Sequence, residues 1–340
     1  MDQEQEFLQS LSGLRDQLLD VLKDYWIFSI PYSLGEVAIA GALAKSFKQQ
    51  YGGPLAFLVD PAKMGVAQLF ADQVDVAVPV PMHLLRNLNR LGFLSPETFR
   101  RGSVQDVFEI HGAKLNFVSL FTLRNQHPDR GLPVTDVFRF AMRLPWEAPL
   151  HPGRPDKEAL EQAERIAASV GMEPGNSVIL FPGNNTNLPA PSVFWRRVAN
   201  EAAALGKRVF VNVSGAALLP DDLDIPGIPV ELNDIPQAIA LCEIAGRIVA
   251  GSNGFLMTAL LTETRFGLDV ILTDAFDPTA SGRHYQPMPI RSGSLFLQAP
   301  EIKEVIDRPY REWEVPSSVD TESIAVELVR AWSAGNGSPS

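Results

Sequence analysis

Cysteine is almost missing from this chain: Cys242 is the single one in 340 residues. An intrachain disulfide is therefore impossible, and a cysteine-based metal site is not expected. Positive charge is also scarce. Twenty-nine Lys and Arg stand against 40 Asp and Glu, a formal net charge of −11. Phosphate backbones and anionic lipid surfaces demand clustered basic residues, so no nucleic-acid partner is expected. Long apolar runs are missing too: none reaches the length needed to cross a bilayer. The opening Met1-Asp2-Gln3-Glu4-Gln5-Glu6 lacks the basic start of a secretory signal, so a cytoplasmic protein without a transmembrane segment is expected.

Histidine is sparse and scattered. His83, His111, His127, His151 and His284 show no metal-ligand spacing, and no metal site is expected. No G-x-G-x-x-G fingerprint with its ribose-binding acid is present, which disfavours a nicotinamide cofactor. Neither a G-x-x-x-x-G-K-[ST] loop nor a G-x-S-x-G elbow occurs. These absences leave a small phosphorylated ligand open, because loop amides and helix N-termini hold phosphate without net positive charge.

What is present suits a soluble globular protein with large cores, at 46% hydrophobic and 20% charged residues. The length is comfortable for two domains. Strand-like runs at 26–31, 55–59, 74–80 and 106–111 alternate with helical patterns at 37–50, 62–71, 83–92 and 113–123. A polar, proline-rich stretch with Pro145, Pro149, Pro152 and Pro155 reads as a linker, placed at 149–158. A helix at about 156–170 opens a second alternating series. Its strands lie near 177–182, 207–213, 228–232, 247–250, 269–273 and 294–298, and its helices near 191–205, 234–245 and 254–262. An extra helix at 6–24 precedes the first domain (1–148). The second domain spans 159–318, a last helix covers 319–333, and residues 334–340 read as a disordered tail. Alternation of this kind predicts an α/β protein with two Rossmann-like, doubly wound parallel-sheet domains facing a cleft.

Two segments stand out in this layout. Ile27 to Val37 and Ile248 to Phe255 each run from an apolar strand through a short Gly-containing turn into a helix. Loops at the carboxyl ends of parallel strands are where open α/β sheets bind ligands. In Ser33-Leu34-Gly35-Glu36, Gly35 permits a tight turn and Glu36 stands in the first helical turn. The helix dipole stabilises a carboxylate there. Glu36 is thus either a general base facing a cleft or a simple cap, and the cap is the commoner role. Phe181-Pro182-Gly183-Asn184-Asn185-Thr186 offers amides and a hydroxyl for phosphate oxygens. Gly251-Ser252-Asn253-Gly254 opens a helix, with Ser252 or Asn253 available as its cap. His111 falls where a strand ends and a helix is expected to begin, which makes it a candidate ligand contact.

In order along the chain, these segments resemble the heptosyltransferase-like glycosyltransferases, the ADP-heptose:lipopolysaccharide type of GT-B architecture. The resemblance rests on Ser33-Leu34-Gly35-Glu36-Val37, Asp106 to Gly112, Val178 to Gly183, Gly251 to Gly254 and Leu272 to Pro278. It spans roughly residues 26 to 300 and marks the chain as a divergent member. Three departures fall at the donor side. The family's phosphate-binding Lys would fall near Leu188, Ser252 replaces an Asp, and Met257 replaces a His.

The resemblance implies a metal-independent inverting glycosyltransferase without a cofactor. Its substrates would be a nucleotide sugar and a glycan or small-molecule acceptor. Glu36 would act as base, with Ser33, Gly35 and His111 on the acceptor side. Gly183, Asn184, Asn185, Thr186, Ser214, Ser252, Asn253, Gly254 and Asp274 would hold the donor. Two other readings stay open: a GT-B binding or scaffold protein that has lost the donor site, and a sugar-nucleotide epimerase or hydrolase. A homo-oligomer is likewise left open.

Overall fold

A computed structural model of the chain describes Gly13, Leu22 and residues 24–30, 33–85, 106–110, 113–119, 133–183, 189–214, 224–273, 275–276, 287–288, 309–316 and 320–334. For 106–110, 113–119, 275–276, 287–288 and 334 it describes the backbone alone. The expected helix at 6–24 (apart from Gly13, Leu22 and Asp24), the strand at 294–298 and the tail after 334 fall outside these residues, as does the 83–92 helix from 86 onward. The chain divides into two compact units, Met1–Arg154 and Pro155–Ser340.

Unit 1 is built on a five-stranded sheet in the order β3-β2-β1-β5-β4. Its strands are β1 (Trp26–Ile30), β2 (Leu55–Val59), β3 (Val76–Pro79), β4 (Asp106–Ile110) and β5 (Ala113–Ser119). β1 pairs in parallel with both β2 and β5, and Ser29 lies opposite Leu58 on one side and Ser119 on the other. β4 runs antiparallel to β5. This corrects the sequence reading, which placed a helix at 113–123. Ala113-Lys114-Leu115-Asn116-Phe117 alternates apolar and polar with period two, the strand signature, and only two residues including Gly112 separate it from β4. The sheet is therefore mixed rather than wholly parallel.

Helix α1 (Leu34–Tyr51) follows β1 and is buried on almost every side from Gly35 to Phe47. Its small residues Ala38, Ala40, Gly41, Ala42 and Ala44 let neighbours approach closely. A Cβ on Gly41 would sit 2.5 Å from Phe70 Cδ2 and Cγ, while a Cβ on Gly153 would sit 2.9 Å from Cε1 of the same ring. With backbone against the ring at both glycines, Phe70 has little room to give way. Gly41→Ala is therefore expected to cost about 1–3 kcal/mol by overpacking. Urea denaturation checks this, and an unchanged midpoint would show that the ring moves freely. α2 (Met64–Gln68) and α3 (Val134–Met142) are further helices of the unit; α3 was not anticipated from sequence.

The end of unit 1, inside the expected linker, is pinned to α1 and its surroundings. Ser46 Oγ donates to Pro149 O at 2.8 Å, and His151 N donates to Ala42 O at 2.7 Å. Gln73 Nε2 donates to His151 O and Pro152 O, and Arg154 N to Leu69 O. Burial, with the Lys45 charge adding to it, holds the His151 imidazole below its ordinary pKa of 6.5. The unfolded chain therefore takes up this proton first. Stability from His151 is present above pH 6.5 and falls as the pH drops toward the lowered folded value. The melting temperature of His151→Gln should accordingly fall less steeply between pH 7 and pH 5 than that of wild type; parallel profiles would contradict this.

Unit 2 holds a six-stranded sheet, β13-β10-β9-β6-β7-β8, parallel throughout. Its strands are β6 (Ser177–Phe181), β7 (Arg208–Asn212), β8 (Ile228–Val230), β9 (Arg247–Gly251), β10 (Gly267–Leu272) and β13 (Tyr310–Glu314). Counted one to six in chain order, they lie 3-2-1-4-5-6, the doubly wound Rossmann order. β6 and β10 are buried along their whole length, as parallel strands covered on both faces must be. The helices are α4 (Lys157–Val170), α5 (Ser192–Ala204), α6 (Ile235–Ala245), α7 (Gly254–Leu260) and α8 (Thr321–Ala334). α5 and α8 pack together over Val178, Leu180, Val211, Val249 and Ile271. α4 packs on α6, which meets β6 and β9. A short antiparallel pair, β11 (Ala275–Phe276) and β12 (Pro287–Met288), follows β10. β13 carries little apolar alternation and was missed by the sequence reading.

Candidate functional site

In unit 1 the turn after β1 is organised around a capping box. Ser33 is the N-cap of α1: its Oγ accepts from Glu36 N at 3.3 Å, and Ser33 N donates to Glu36 Oε2 at 2.8 Å. Ser and Glu three residues apart satisfy two orphan helix donors reciprocally, which explains why this turn forms here. Glu36 is only 7% exposed. The capping role that sequence favoured is thus met in full, and the carboxylate sits at the carboxyl end of a parallel strand, beside the point where β1 has β2 on one side and β5 on the other. Gly35 is buried with it. His111 lies between β4 and β5 in sequence, not before a helix, and is outside the described residues, as are Asn184, Asn185, Thr186, Leu188 and Asp274.

In unit 2 the topology brings two of the sequence-derived loops together. β6 and β9 are neighbours with Phe181 opposite Ala250, so Pro182-Gly183 and Gly251-Ser252-Asn253-Gly254 leave adjacent strands at the same edge. The chain proceeds outward in opposite directions from this pair, which opens a crevice at the carboxyl ends of β6 and β9. Asn253 caps α7, its Oδ1 accepting from Leu256 N at 3.0 Å. Ser252 is buried, and its N–H bonds to Ile271 O at 3.1 Å. Met257, standing where the resemblance expects a His, is buried at 3% exposure. Ser214 is drawn into a local turn: its Oγ bonds Asn212 Oδ1 at 2.9 Å and accepts from Leu232 N at 2.8 Å.

Sequence reasoning gave no role to Phe255. Its half-buried ring stacks on Phe181, with centroids 5.1 Å apart and planes 26° apart. An aromatic residue directly after the loop glycine was the signal available. Among the described residues no group of three or more His, Cys, Asp or Glu could hold a metal ion, and no helix is long and apolar enough to cross a membrane. Cys242 is fully buried, and burial pushes its thiol far up.

No family model matches the chain, and no curated protein matches it by sequence. Solved structures do match. The glycosyl transferase family 9 protein of Veillonella parvula covers 92% of this chain with 96% of its own length, at a TM-score of 0.55 and 11% identity. The fold is GT-B. ADP-heptose lipopolysaccharide heptosyltransferase II of E. coli matches over 92% of this chain and 100% of its own, with a TM-score of 0.55 and 13% identity. E. coli heptosyltransferase WaaC, solved with ADP, matches over 92% and 99%, with a TM-score of 0.50 and 11% identity. At such identities the likeness is one of fold. A GT-B chain carries two Rossmann-like units, and both sheets described above fit that plan.

Proposed function

We propose that this chain is a glycosyltransferase that moves a sugar from a nucleotide-sugar donor to an acceptor hydroxyl. The observation that carries the reading is the adjacency of the β6 and β9 loops at the switch point of a Rossmann-ordered sheet, in a fold shared with glycosyltransferases. The donor's diphosphate would lie near Gly183 to Thr186 and Ser252 to Gly254, with Ser214 and Asp274 nearby. The acceptor would be handled by the first unit through Ser33, Gly35 and His111. Its hydroxyl oxygen attacks the anomeric carbon while Glu36 takes the hydroxyl proton. The bond from that carbon to the diphosphate oxygen breaks, the electron pair leaves with the nucleoside diphosphate, and configuration inverts. Backbone N–H groups of the two loops meet the charge that develops on the leaving group, so the scheme assigns no step to a metal ion. A carboxylate has lone pairs for more than one donor, so capping by Ser33 N and proton transfer are compatible on Glu36.

A second reading, a GT-B protein that binds without transferring, is favoured by one specific observation. Glu36, Asn253 and Ser214 each hold local backbone. Thermal shift against a panel of nucleotide sugars, followed by turnover with hydroxyl acceptors, separates the two. A donor that raises the midpoint and is consumed supports transfer. A donor that raises it and is never consumed supports binding alone.

A further inference from the structure

We infer that unit 1 carries a carbohydrate-binding surface away from Glu36, where the stacked rings of Phe140 and Trp146 take the C–H face of a sugar ring in a neutral oligosaccharide. The inference goes beyond the transfer reaction proposed above and does not depend on it.

The first observation is a pair of aromatic rings on the outside. Phe140 is 50% exposed and Trp146 52% exposed, and among the described residues no other Phe or Trp is exposed to that degree. Their planes differ by 13° with centroids 6.4 Å apart, so the two rings present nearly parallel faces. A single exposed apolar residue is ordinary, whereas two large rings set together outside the core call for a partner.

The second is that the backbone holds them there. Phe140 lies in the last turn of α3, and the chain leaves that helix through Arg143, whose left-handed conformation (φ 48°) is one that glycine usually takes. The Arg143 carbonyl accepts from Gln50 Nε2 at 3.1 Å and from Tyr51 OH at 2.8 Å, both at the end of α1. Trp146 then stands in a turn closed by Ala148 N donating to Pro145 O at 3.0 Å. Ala148 O in turn accepts from Nε of the buried Arg139 at 3.0 Å. A costly residue conformation fixed from several sides points to a geometry that serves something other than stability.

The third is what such a surface can accept. Half of a Phe and half of a Trp offer roughly 200 Å². That is far below the roughly 800 Å² that each partner gives to a stable protein interface, so a second copy of the chain does not fit. The exposed charges beside Trp146 in sequence are Arg143 and Glu147, one of each sign, and neither has an ion-pair partner among the described residues. A balanced pair on a chain of net charge −11 does not draw an anionic lipid surface. A sugar ring suits all of these features. Its C–H face carries partial positive charge that meets the negative face of an aromatic ring, and its hydroxyls accept from a guanidinium and donate to a carboxylate.

This surface stands apart from the capping box. Glu36 is in the first turn of α1, Gln50 and Tyr51 are in its last, and a helix of 18 residues spans about 27 Å.

The test is titration calorimetry of the full chain with maltotetraose, cellotetraose, chitotetraose and mannotetraose. At least one should bind with a Kd of about 1 mM or tighter. Trp146→Ala and Phe140→Ala should each weaken that binding about tenfold, while Trp146→Phe stays within about threefold of wild type. Because both rings are half exposed, melting should be unchanged, which separates loss of the surface from loss of the fold. The inference is overturned if none of the four binds, or if Trp146→Ala binds like wild type. It is equally overturned if Trp146 instead governs dimerisation in sedimentation or binding to phosphatidylcholine vesicles. Oligosaccharide binding of this kind in a chain that transfers no sugar removes the transferase reading and leaves this one. Sugar transfer that proceeds without any Trp146-dependent binding does the reverse.

Discussion

Asp269→Asn is expected to lower the stability of unit 2 by about 3–5 kcal/mol, the usual cost of breaking a buried, hydrogen-bonded ion pair. Asp269 lies in β10 at 0% exposure. Its Oδ2 accepts from Arg247 Nη1 at 2.7 Å and from Trp332 Nε1 at 2.8 Å, while Oδ1 accepts from Trp313 Nε1 at 2.9 Å. The Arg247 guanidinium also lies 5.0 Å from the centre of the Trp332 ring. One carboxylate thus ties β9, β10, β13 and α8 together. The asparagine side chain has the same shape, so no cavity opens and the effect is purely one of charge and donor count. The amide turns an NH2 toward groups that are all donors, and Arg247 is left partly buried without its counter-charge. Urea denaturation followed by tryptophan fluorescence measures the loss. A change below about 1 kcal/mol would mean that packing of Trp313 and Trp332, and not the carboxylate, holds α8 in place. Combining Arg247→Met with Asp269→Asn should recover part of the loss, because the stranded charge is then gone.

Glu36→Gln is expected to reduce turnover by about 10²–10⁴-fold, the range that a positioned general base contributes. The choice of Gln matters because Glu36 does two jobs in the reading above. Gln serves as well as Glu at the third position of a capping box, so Ser33 N keeps its acceptor and α1 keeps its start. Melting temperature should stay close to wild type while activity falls. Donor binding, which the proposed reading gives to the other unit, should be unaffected. Glu36→Ala removes cap and base together and should lose both stability and activity. If Glu36→Gln turns over like wild type, Glu36 is a cap and nothing more, and the proton must go elsewhere.

Much of the outline was legible without coordinates. The helices α1, α4, α6 and α7 each begin at a residue that can cap, Ser33, Asp156, Asp234 and Asn253, and all four do so. Capping is decided by residues within four positions of one another, so it shows in a local reading. The continuous apolar runs at β6 and β10 announced buried parallel strands for a similar reason. β5 was misread as a helix because a short run with several apolar residues fits more than one period, and its pairing with β4 decided the matter.

The sequence by itself determined the α/β alternation, the capped helix start at Asn253 and the acidity of the chain. Those properties follow from neighbours along the chain and from counting. The tertiary structure alone decided the strand orders, and with them that the β6 and β9 loops share one crevice although about 70 residues separate them. It alone brought Trp313 and Trp332 onto Asp269 across 44 and 63 residues. Phe181 and Phe255 likewise become one aromatic surface only when their strands pair. Contacts of this kind leave no periodic trace, because which distant residues meet is set by how whole strands and helices bury their faces together.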